Sequence, residues 1–587
     1  MLEPRFYRVG LLPVALALIV VAFSLQEPPR SVRTTLAADA FTGSRAMATL
    51  DRLADAFPVR RPGSTADDRL ADRIASDLAA DGFAVRTTEH SGRTIDGTQD
   101  LKLVIGERTG TSSDRLVVVA HRDAAQPGSR AELSGTAALL ELARVVGAPR
   151  RTTRTITLVS TSGGSGGAAG AIALADELKG QPVGGIIVLG AVAAADLRRP
   201  LVVPWSNSVA IAPLQLRRTV ETALRAETGL DGGQPRAVSQ TARFAVPGTL
   251  GEQGPLITAG FPAVLLSGSG EAPPAADAAV SPERMQGMGR ATLRAITALD
   301  NGPRIKAQTR PDVVIQGKVL PAWAPRLLLG VLLLPPLLAL VDAFARARRQ
   351  RIAVAPWITW TVLAALPFLV GAVLARILGL TGLLTVAPAA PAPIATVPVS
   401  IAGLVAVALA GALAAFAVRL PRRRAAAQAG GNPAAPGAAV GALIVLWAVT
   451  FAIWVGNPYS AALLIPALHV WLFALMPEYR PPRVWGVAIA AALAVPAVAL
   501  GAWVAATFGL DPLQLVWTAV LSVAGGLASP LSWVLWCLAA GAVIAGVTIA
   551  WRGRAQAGDE HVEITMRGPV SYAGPGSLGG VESALRR

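Results

Sequence analysis

The sequence contains a single cysteine, Cys537, among 587 residues, so no intramolecular disulfide can form. Zinc sites built from several cysteines are excluded for the same reason. Histidine is almost as scarce, with four residues in the whole chain: His90, His121, His469 and His561. Any catalytic or metal centre that needs several imidazoles must therefore be assembled from very few candidates.

Charged residues are scarce as well, because Asp, Glu, Lys and Arg make up 15% of the sequence, against roughly a quarter in soluble domains. Hydrophobic residues make up 53% of it, and the mean hydropathy is +0.51. A soluble protein of ordinary composition is therefore excluded, and membrane-spanning segments are expected. The net charge of +16 is usual for a membrane protein with arginine-rich cytoplasmic loops, so we expect the lipid bilayer, and no nucleic acid, as a partner.

The N-terminal segment predicts a membrane anchor. An apolar run over residues 9–25 follows Arg5 and Arg8, and no small-residue cleavage site closes it. This pattern favours an uncleaved helix over a signal peptide, with the basic end in the cytoplasm. Residues 41–302 contain no further run of that length, so they are predicted to form one folded domain outside the cytoplasm.

The C-terminal half predicts seven further spans. Arginine clusters follow the first, third, fifth and seventh of them, whereas the connections in between contain no Lys or Arg. This is the positive-inside pattern, and with the anchor it gives eight spans and two cytoplasmic termini. The predicted spans are 326–344, 355–375, 399–418, 437–455, 460–476, 484–506 and 530–551.

A shorter apolar run, 513–526, lies between Asp511-Pro512 and Gly525-Gly526. Its length favours an interfacial or re-entrant segment over a crossing.

The end of the chain is rich in Gly, Ser and Pro, which is typical of a disordered tail. The predicted division is a cytoplasmic N-terminus (1–8), an anchor (9–25), a linker (26–40), an extracytoplasmic domain (41–302), a linker (303–322), a seven-span membrane domain (323–551) and a disordered cytoplasmic tail (552–587).

The extracytoplasmic domain alternates strand and helix patterns. Buried-strand patterns occupy 115–124, 153–162, 184–192 and 261–268, and apolar residues recur at helical spacing over 136–146. Strands that alternate with helices predict an α/β/α layered sandwich.

Five motifs in this domain resemble metallopeptidase family 28, the zinc aminopeptidases. They are VIGERTG (104–110), VVVAHRDA (117–124), SGTAALLELARVV (134–146), RTITLVSTSGGSGGAAGA (154–171) and ITAGFPAVLLSG (257–268). The resemblance runs in order over residues 40–300 and implies a mixed-sheet α/β/α fold. The layout of one anchor, this domain and a multi-span block is similar to the GPI transamidase attachment subunit and to endoplasmic reticulum metallopeptidases.

The resemblance also implies a site for two zinc ions: a His of His-x-Asp, a bridging Asp three residues before Ser-Gly, one Glu of a Glu-Glu pair whose other member is the general base, a later Asp and a final His. His121 and Asp123 match His-x-Asp, with Asp123 in the place that orients the imidazole. The neighbour of the bridging position, Glu132, is expected to point away unless the turn is rebuilt, and Gln253 stands where many relatives carry another His. The lost ligand or base positions are Ala131, Gly164, Ser165 and Gly190.

Because metal affinity accumulates over three or four ligands, we expect a vestigial site with no zinc or other cofactor. The enzyme alternative is an active zinc aminopeptidase that uses rearranged ligands, with His121 and Glu132 as metal candidates and His90 or Asp277 beside them. A serine hydrolase is a further possibility, because residues 163–167 satisfy Gly-x-Ser-x-Gly around Ser165. The histidines after that serine lie in a span and in the tail, which favours a plain glycine-rich turn.

The membrane half contains few ionisable residues, and His469 lies within a span, either as a hydrogen-bonded packing residue or as a relay member. We therefore predict a multipass plasma-membrane protein whose degenerate family-28-like domain, a pseudoenzyme, is a non-catalytic binding or assembly module. Its expected partner is another membrane protein or a peptide bound by that domain. A second alternative is a transporter or lipid-handling protein with an accessory outer domain.

Overall fold

A computed structural model describes residues 3–148, 151–233, 235–306, 309–384, 397–433, 435–475, 482, 484–486, 489 and 495–552. The chain has two parts, and the first lies in sequence between segments of the second. The α/β domain occupies residues 43–301, and the helical block comprises the N-terminal helix together with the helices from Trp323 onward.

The α/β domain is built on a seven-stranded mixed sheet with the order β1-β2-β4-β3-β5-β7-β6. The four strands β4, β3, β5 and β7 are parallel to one another, whereas β1, β2 and β6 pair antiparallel with their neighbours. The strands are β1 (Ala84–Thr94), β2 (Gly97–Arg108), β3 (Ser112–His121), β4 (Arg154–Thr161), β5 (Val183–Leu189), β6 (Val202–Val203) and β7 (Ala263–Leu266).

Burial along the strands explains why they form. Strands β4 and β5 are buried at every residue, as expected for apolar runs covered on both faces of a parallel sheet. The edge strand β1 leaves many side chains exposed. The predicted strands correspond to β3, β4, β5 and β7, and the predicted helix lies within α4.

Helices pack on both sides of this sheet. Helices α3, α4 and α9 contact strands and one another, whereas α5 and α8 form a separate pair against β1, β2 and β7. The predicted α/β/α architecture with a mixed sheet is therefore confirmed. The helices are α2 (Gly43–Ala56), α3 (Thr65–Ala80), α4 (Arg130–Gly147), α5 (Ala169–Glu177), α6 (Leu214–Thr228), α7 (Ala237–Ala245), α8 (Gln253–Thr258) and α9 (Pro282–Asn301).

Most helices of the helical block are apolar, and α15 is the basic exception with four arginines among its ten residues. A hairpin of β8 (Val313–Ile315) and β9 (Lys318–Leu320) precedes its main part. The helices are α1 (Pro4–Phe23), α10 (Trp323–Val331), α11 (Leu334–Arg349), α12 (Ala355–Leu363), α13 (Leu366–Leu380), α14 (Ile401–Ala417), α15 (Arg419–Gln428), α16 (Pro436–Gly456), α17 (Pro458–Ala461), α18 (Ile465–Ala474), α19 (Val495–Phe508), α20 (Pro512–Ala524) and α21 (Pro530–Arg552).

Within the described residues, six helical stretches are long and apolar enough to cross a membrane, or seven if the bent pair α19 and α20 is one span. This count is lower than the eight spans predicted for the whole chain, part of which lies outside the described residues. The predicted span 460–476 falls on the shorter apolar stretch Pro458–Ala474, which breaks before Pro466. The first part of the predicted span 484–506 lies mostly outside the described residues, as does nearly all of the predicted tail.

The run predicted to be interfacial or re-entrant forms α20, which meets α19 at an angle of 97°. Such a bend is compatible with a broken span or a re-entrant loop. Asp511 caps the start of α20 with a reciprocal capping box, since its side chain accepts from the amide of Gln514 at 2.8 Å and the side chain of Gln514 accepts from its amide at 2.9 Å.

Side chains from the start of α17 join the helical block to the α/β domain. Asn457 Nδ2 donates to the carbonyl of Phe244 at 2.7 Å, and Ser460 Oγ donates to the carbonyl of Ala245 at 2.6 Å. At the other end of the same contact region, Arg93 donates to the carbonyl of Gly525 at 3.3 Å. These helix ends therefore lie on the side of the helical block that faces the domain.

The two connections between the α/β domain and the helical block are paired with each other. The amide of Gln26 donates to the carbonyl of Val319 at 2.9 Å, and the amide of Val319 donates back to the carbonyl of Gln26 at 2.8 Å. Lys318 also forms an ion pair with Glu27. The chain thus enters and leaves the domain at one point.

Candidate functional site

The predicted site residues meet where the parallel strands end. His121 is the last residue of β3, the turn at 163–167 follows β4, and Gly190 follows β5. The carboxyl ends of parallel strands share one edge of the sheet, which is where open α/β folds place their clefts. A small pocket at this edge, of about 40 Å³, is lined by residues of all three connections. We call it the carboxylate pocket, after the side chains of Glu132 and Glu252 in its wall.

His121 lies between these two carboxylates. Its Nε2 is 3.7 Å from Oε1 of Glu132, and its Nδ1 is 3.7 Å from Oε2 of Glu252. The three side chains are 13%, 6% and 2% exposed, respectively. Burial alone lowers the pKa of His121, but Glu132, Glu252 and Asp123 outweigh burial and raise that pKa well above its ordinary value. The imidazole is therefore held as a cation by its neighbours.

The prediction that Glu132 points away is wrong. Helix α4 begins at Arg130 and places Glu132 in its first turn, where a carboxylate is favoured by the helix dipole. Thr136 further holds the helix to the strand end, since its hydroxyl donates to the carbonyl of His121 at 2.8 Å. The rebuilt turn brings the Glu132 carboxylate to the imidazole.

Glu252 was not predicted as a site residue from the sequence, where only its neighbour Gln253 was singled out. Glu252 lies just before α8, and its Oε1 accepts from Thr161 Oγ1 at 2.6 Å. Gln253 is turned elsewhere, because its amide donates to the carbonyl of Trp205 and to Thr249. The available signal in the sequence was a carboxylate next to a motif position. Its approach to His121, however, is a contact between residues 131 positions apart in the chain.

Asp123 has a different role from the one that the resemblance implies. Its Oδ1 accepts from the amide of Gly164 at 3.0 Å, and its Oδ2 accepts from the amide and the hydroxyl of Ser165 at 3.0 and 2.5 Å. Both carboxylate oxygens thus fix the glycine-rich turn. The Ser165 hydroxyl lines the same pocket as His121 but donates to Asp123, an arrangement that differs from a nucleophile paired with an imidazole base.

Neighbouring Cβ atoms lie close to two of the positions where the resemblance implies carboxylates. A Cβ atom on Gly164 would lie 2.4 Å from Cβ of His121, and one on Gly190 would lie 2.8 Å from Cβ of Ser267. Ala131 is fully buried in α4. Larger side chains at these positions therefore require the surrounding backbone to move.

The residues present do not fit a zinc centre. Zinc takes three or four ligands that converge on one point, but Glu132 and Glu252 face different nitrogens of His121. An ion at either nitrogen would thus have one histidine and one glutamate beside it. In the part of the chain that the structure describes, no group of three or more His, Cys, Asp or Glu side chains could hold a metal ion.

The other candidates of the zinc alternative lie elsewhere. His90 lies on the edge strand β1, where its Nε2 contacts Thr88 Oγ1 at 2.9 Å and Glu177 at 3.7 Å. Asp277 is exposed and is not part of the pocket wall. The structure therefore brings together Glu132 and His121 from that set, and not the remaining two.

His469 joins three helices of the block. Its Nδ1 contacts the Tyr7 hydroxyl at 2.8 Å, and its Nε2 contacts the carbonyl of Leu332 at 2.9 Å. A neutral imidazole satisfies both contacts, with Nε2–H donating to the carbonyl and Nδ1 accepting from the hydroxyl. This geometry agrees with the packing interpretation of His469. His561 lies outside the described residues.

Comparisons with known proteins add the following. No family model and no curated protein matches the sequence. Among solved structures, a Bacteroides thetaiotaomicron glutaminyl cyclase bound to N-acetylhistamine is 16% identical over 45% of this chain and 99% of its own, with a TM-score of 0.37. A leucine aminopeptidase precursor from the same organism is 17% identical over 46% and 100%, with a TM-score of 0.36.

BSAP, a zinc aminopeptidase from Bacillus subtilis, is 14% identical over 47% of this chain and 98% of its own, with a TM-score of 0.35. The structural neighbours are thus glutaminyl cyclases and zinc aminopeptidases, each covering less than half of this chain. At such low identities and TM-scores, these likenesses carry no information on the activity of this chain.

Proposed function

We propose that the chain is a multipass membrane protein whose α/β domain is a non-catalytic binding or assembly module. In this proposal the domain lies outside the cytoplasm and both termini lie inside, in the plasma membrane. The arginine clusters that follow alternate spans support that orientation. The contacts of Asn457, Ser460 and Gly525 with the domain support it as well, since Asn457 and Gly525 lie in connections without arginine and Ser460 directly follows one.

The observation that carries the proposal is the set of possible ligands at His121. Zinc takes three or four ligands that converge on one point, whereas Glu132 and Glu252 face different nitrogens of His121. A carboxylate at position 164 or 190 is opposed by close packing, because a Cβ atom there would lie 2.4 Å from Cβ of His121 or 2.8 Å from Cβ of Ser267.

Metal content of the full-length protein tests this proposal. The protein is purified in detergent, exposed to zinc, dialysed and measured by elemental analysis. We expect far less than one zinc ion per chain, and no release of N-terminal residues from unblocked peptides. Ala131→Asp, which restores the bridging carboxylate alone, is expected to leave the zinc content unchanged because the other ligands are still missing.

His121→Ala is the matched control. One or two tightly held zinc ions in the unmodified chain that disappear in His121→Ala would overturn the proposal. The same result together with peptide hydrolysis would establish the aminopeptidase alternative, with ligands arranged differently from those described above.

A further inference from the structure

A large cavity lies between the α/β domain and the helical block. Its volume is ≈1090 Å³, at the upper end of what small-ligand sites offer. The domain contributes residues 245–248 and 272–276, and the helical block contributes the ends of α16, α19, α20 and α21. We call it the interdomain cavity.

The wall on the helical side is mostly apolar. Val504 and Phe508 of α19, Leu521 of α20, and Leu535 and Trp536 of α21 line it. Helix α19 has no buried residue among those described, so its apolar side chains face the cavity or the surroundings of the helical block. Apolar walls next to membrane-spanning helices suit acyl chains, because burial of apolar surface drives such binding.

One end of the interdomain cavity adjoins the carboxylate pocket. Glu132 and Ser165 line both the interdomain cavity and the carboxylate pocket. Two buried atoms at that end, Oε2 of Glu252 and Nε2 of His121, have no hydrogen-bond partner within the part of the chain that the structure covers. Native proteins rarely leave buried polar atoms unpaired, so this end of the cavity is built to meet polar groups of a ligand.

Charge decides which polar groups fit. Glu132 and Glu252 place two carboxylates at this end of the cavity. Carboxylate oxygens accept from hydroxyl donors and repel an anionic head group. Arg198 is the other charged residue of the cavity lining, and it is exposed.

We propose that the interdomain cavity binds one membrane lipid, with its acyl chains against α19, α20 and α21 and an uncharged, hydroxyl-bearing head group toward Glu132 and Glu252. The proposal rests on the non-catalytic function proposed above, since it assigns the carboxylate pocket, which lacks a zinc ligand set, to the recognition of a head group. It names a ligand class for the module.

The test uses the full-length, delipidated protein in detergent with dioleoylglycerol and, separately, dioleoylphosphatidylglycerol. Native mass spectrometry reports how many molecules bind each chain. We expect one dioleoylglycerol per chain, with at least about a tenfold preference over the anionic lipid, equivalent to about 1.4 kcal/mol. Equal binding of both lipids, or preference for the anionic lipid, would overturn the proposal.

Variants locate the binding. Thr518→Trp places an indole in the cavity from an exposed position of α20, and Leu535→Trp does so from α21. Both are expected to abolish the single bound lipid. Val516→Trp and Ile544→Trp are matched controls, because both residues are exposed (54% and 41%) on the same two helices and outside the cavity lining.

Binding that survives in Thr518→Trp would show that the lipid attaches elsewhere and would overturn the proposal, even if Leu535→Trp fails to fold. Glu132→Gln is expected to lower the preference for dioleoylglycerol severalfold while one lipid still binds, and an unchanged preference would overturn the head-group assignment. Zinc content of the same samples separates the two proposals: absent lipid with absent zinc refutes the lipid site alone, whereas bound zinc refutes the non-catalytic function.

Discussion

At the residue scale, the ion pairs of His121 make the stability of the protein depend on pH. Burial lowers the pKa of His121 in the folded state, but Glu132, Glu252 and Asp123 together outweigh burial and raise that pKa. Stabilisation is therefore complete below the ordinary histidine pKa of about 6.5 and is lost as the pH rises through the raised pKa of the folded protein. We expect the melting temperature to fall with rising pH in that window.

His121→Gln isolates this effect, because glutamine does not titrate. The difference in melting temperature between the wild-type protein and His121→Gln is expected to shrink as the pH is raised. Scanning calorimetry or intrinsic fluorescence at a series of pH values measures it. A difference that is constant across the series would show that His121 is neutral in the folded protein.

The tight packing at Gly164 gives a second prediction at this scale. Gly164→Ala is expected to lower the free energy of unfolding by about 1–3 kcal/mol, since the added Cβ meets His121 at 2.4 Å and overpacked sites cost that much. Thermal or chemical unfolding measures the change.

Gly185→Ala on β5 is the control for this glycine. A Cβ there has ordinary contacts of 3.5 Å or more with Leu216, Leu299 and Leu116, so stability should stay the same or rise slightly. Equal stability of the two variants would mean that the 163–167 turn accommodates the added Cβ without a loss in the free energy of unfolding.

At the element scale, the bend between α19 and α20 depends on the cap of α20. Asp511→Ala removes the side-chain acceptor of the capping box, which typically costs about 1 kcal/mol. We expect faster hydrogen exchange in the first turn of α20, measured by mass spectrometry. Asp511→Asn keeps an acceptor oxygen and should exchange like the wild type, and fast exchange in that variant as well would assign the effect to charge instead of capping.

The same scale shows what the sequence could predict. The strands β3, β4, β5 and β7 follow from continuous apolar runs, because burial on both faces leaves an unmistakable pattern. The long hairpin of β1 and β2 was not predicted, since its exposed edge strand mixes polar and apolar residues. Apolar composition also does not show where prolines such as Pro466 break a helix.

The site was predictable only in part. His121, Asp123 and the glycine-rich turn lie together because they end neighbouring strands, which a motif records. The position of Glu132 depends on where α4 begins, and that of Glu252 depends on a distant segment that folds back over the sheet. Neither contact leaves a trace in local sequence spacing.

At the scale of the whole molecule, Arg243 connects the two parts. It forms a buried ion pair with Glu271, and its guanidinium lies 5.4 Å from the ring centre of Trp503 and 4.9 Å from that of Phe508. Arg243→Ala leaves Glu271 buried without its partner, which costs about 3–5 kcal/mol for such pairs. We expect a large fall in melting temperature and faster proteolytic separation of the α/β domain from the helical block.

Arg225→Ala is the matched control, because the ion pair of Arg225 with Asp231 is exposed at 65% and 48%. Exposed pairs contribute about 0–1 kcal/mol, so the control should resemble the wild type in both assays. If Arg243→Ala also behaves like the wild type, the domain is held mainly by the contacts of Asn457 and Ser460.

The pairing of Gln26 with Val319 has a consequence for how such a protein can be built. The two ends of the α/β domain leave side by side, so the domain is an insertion between neighbouring helices and not a link that holds them apart. Helix α1 packs directly on α10 and α11, with Gly10 against Pro335. Removing the insertion would leave ends that a short turn can join, so the membrane part and the domain are free to be exchanged independently, as interchangeable modules.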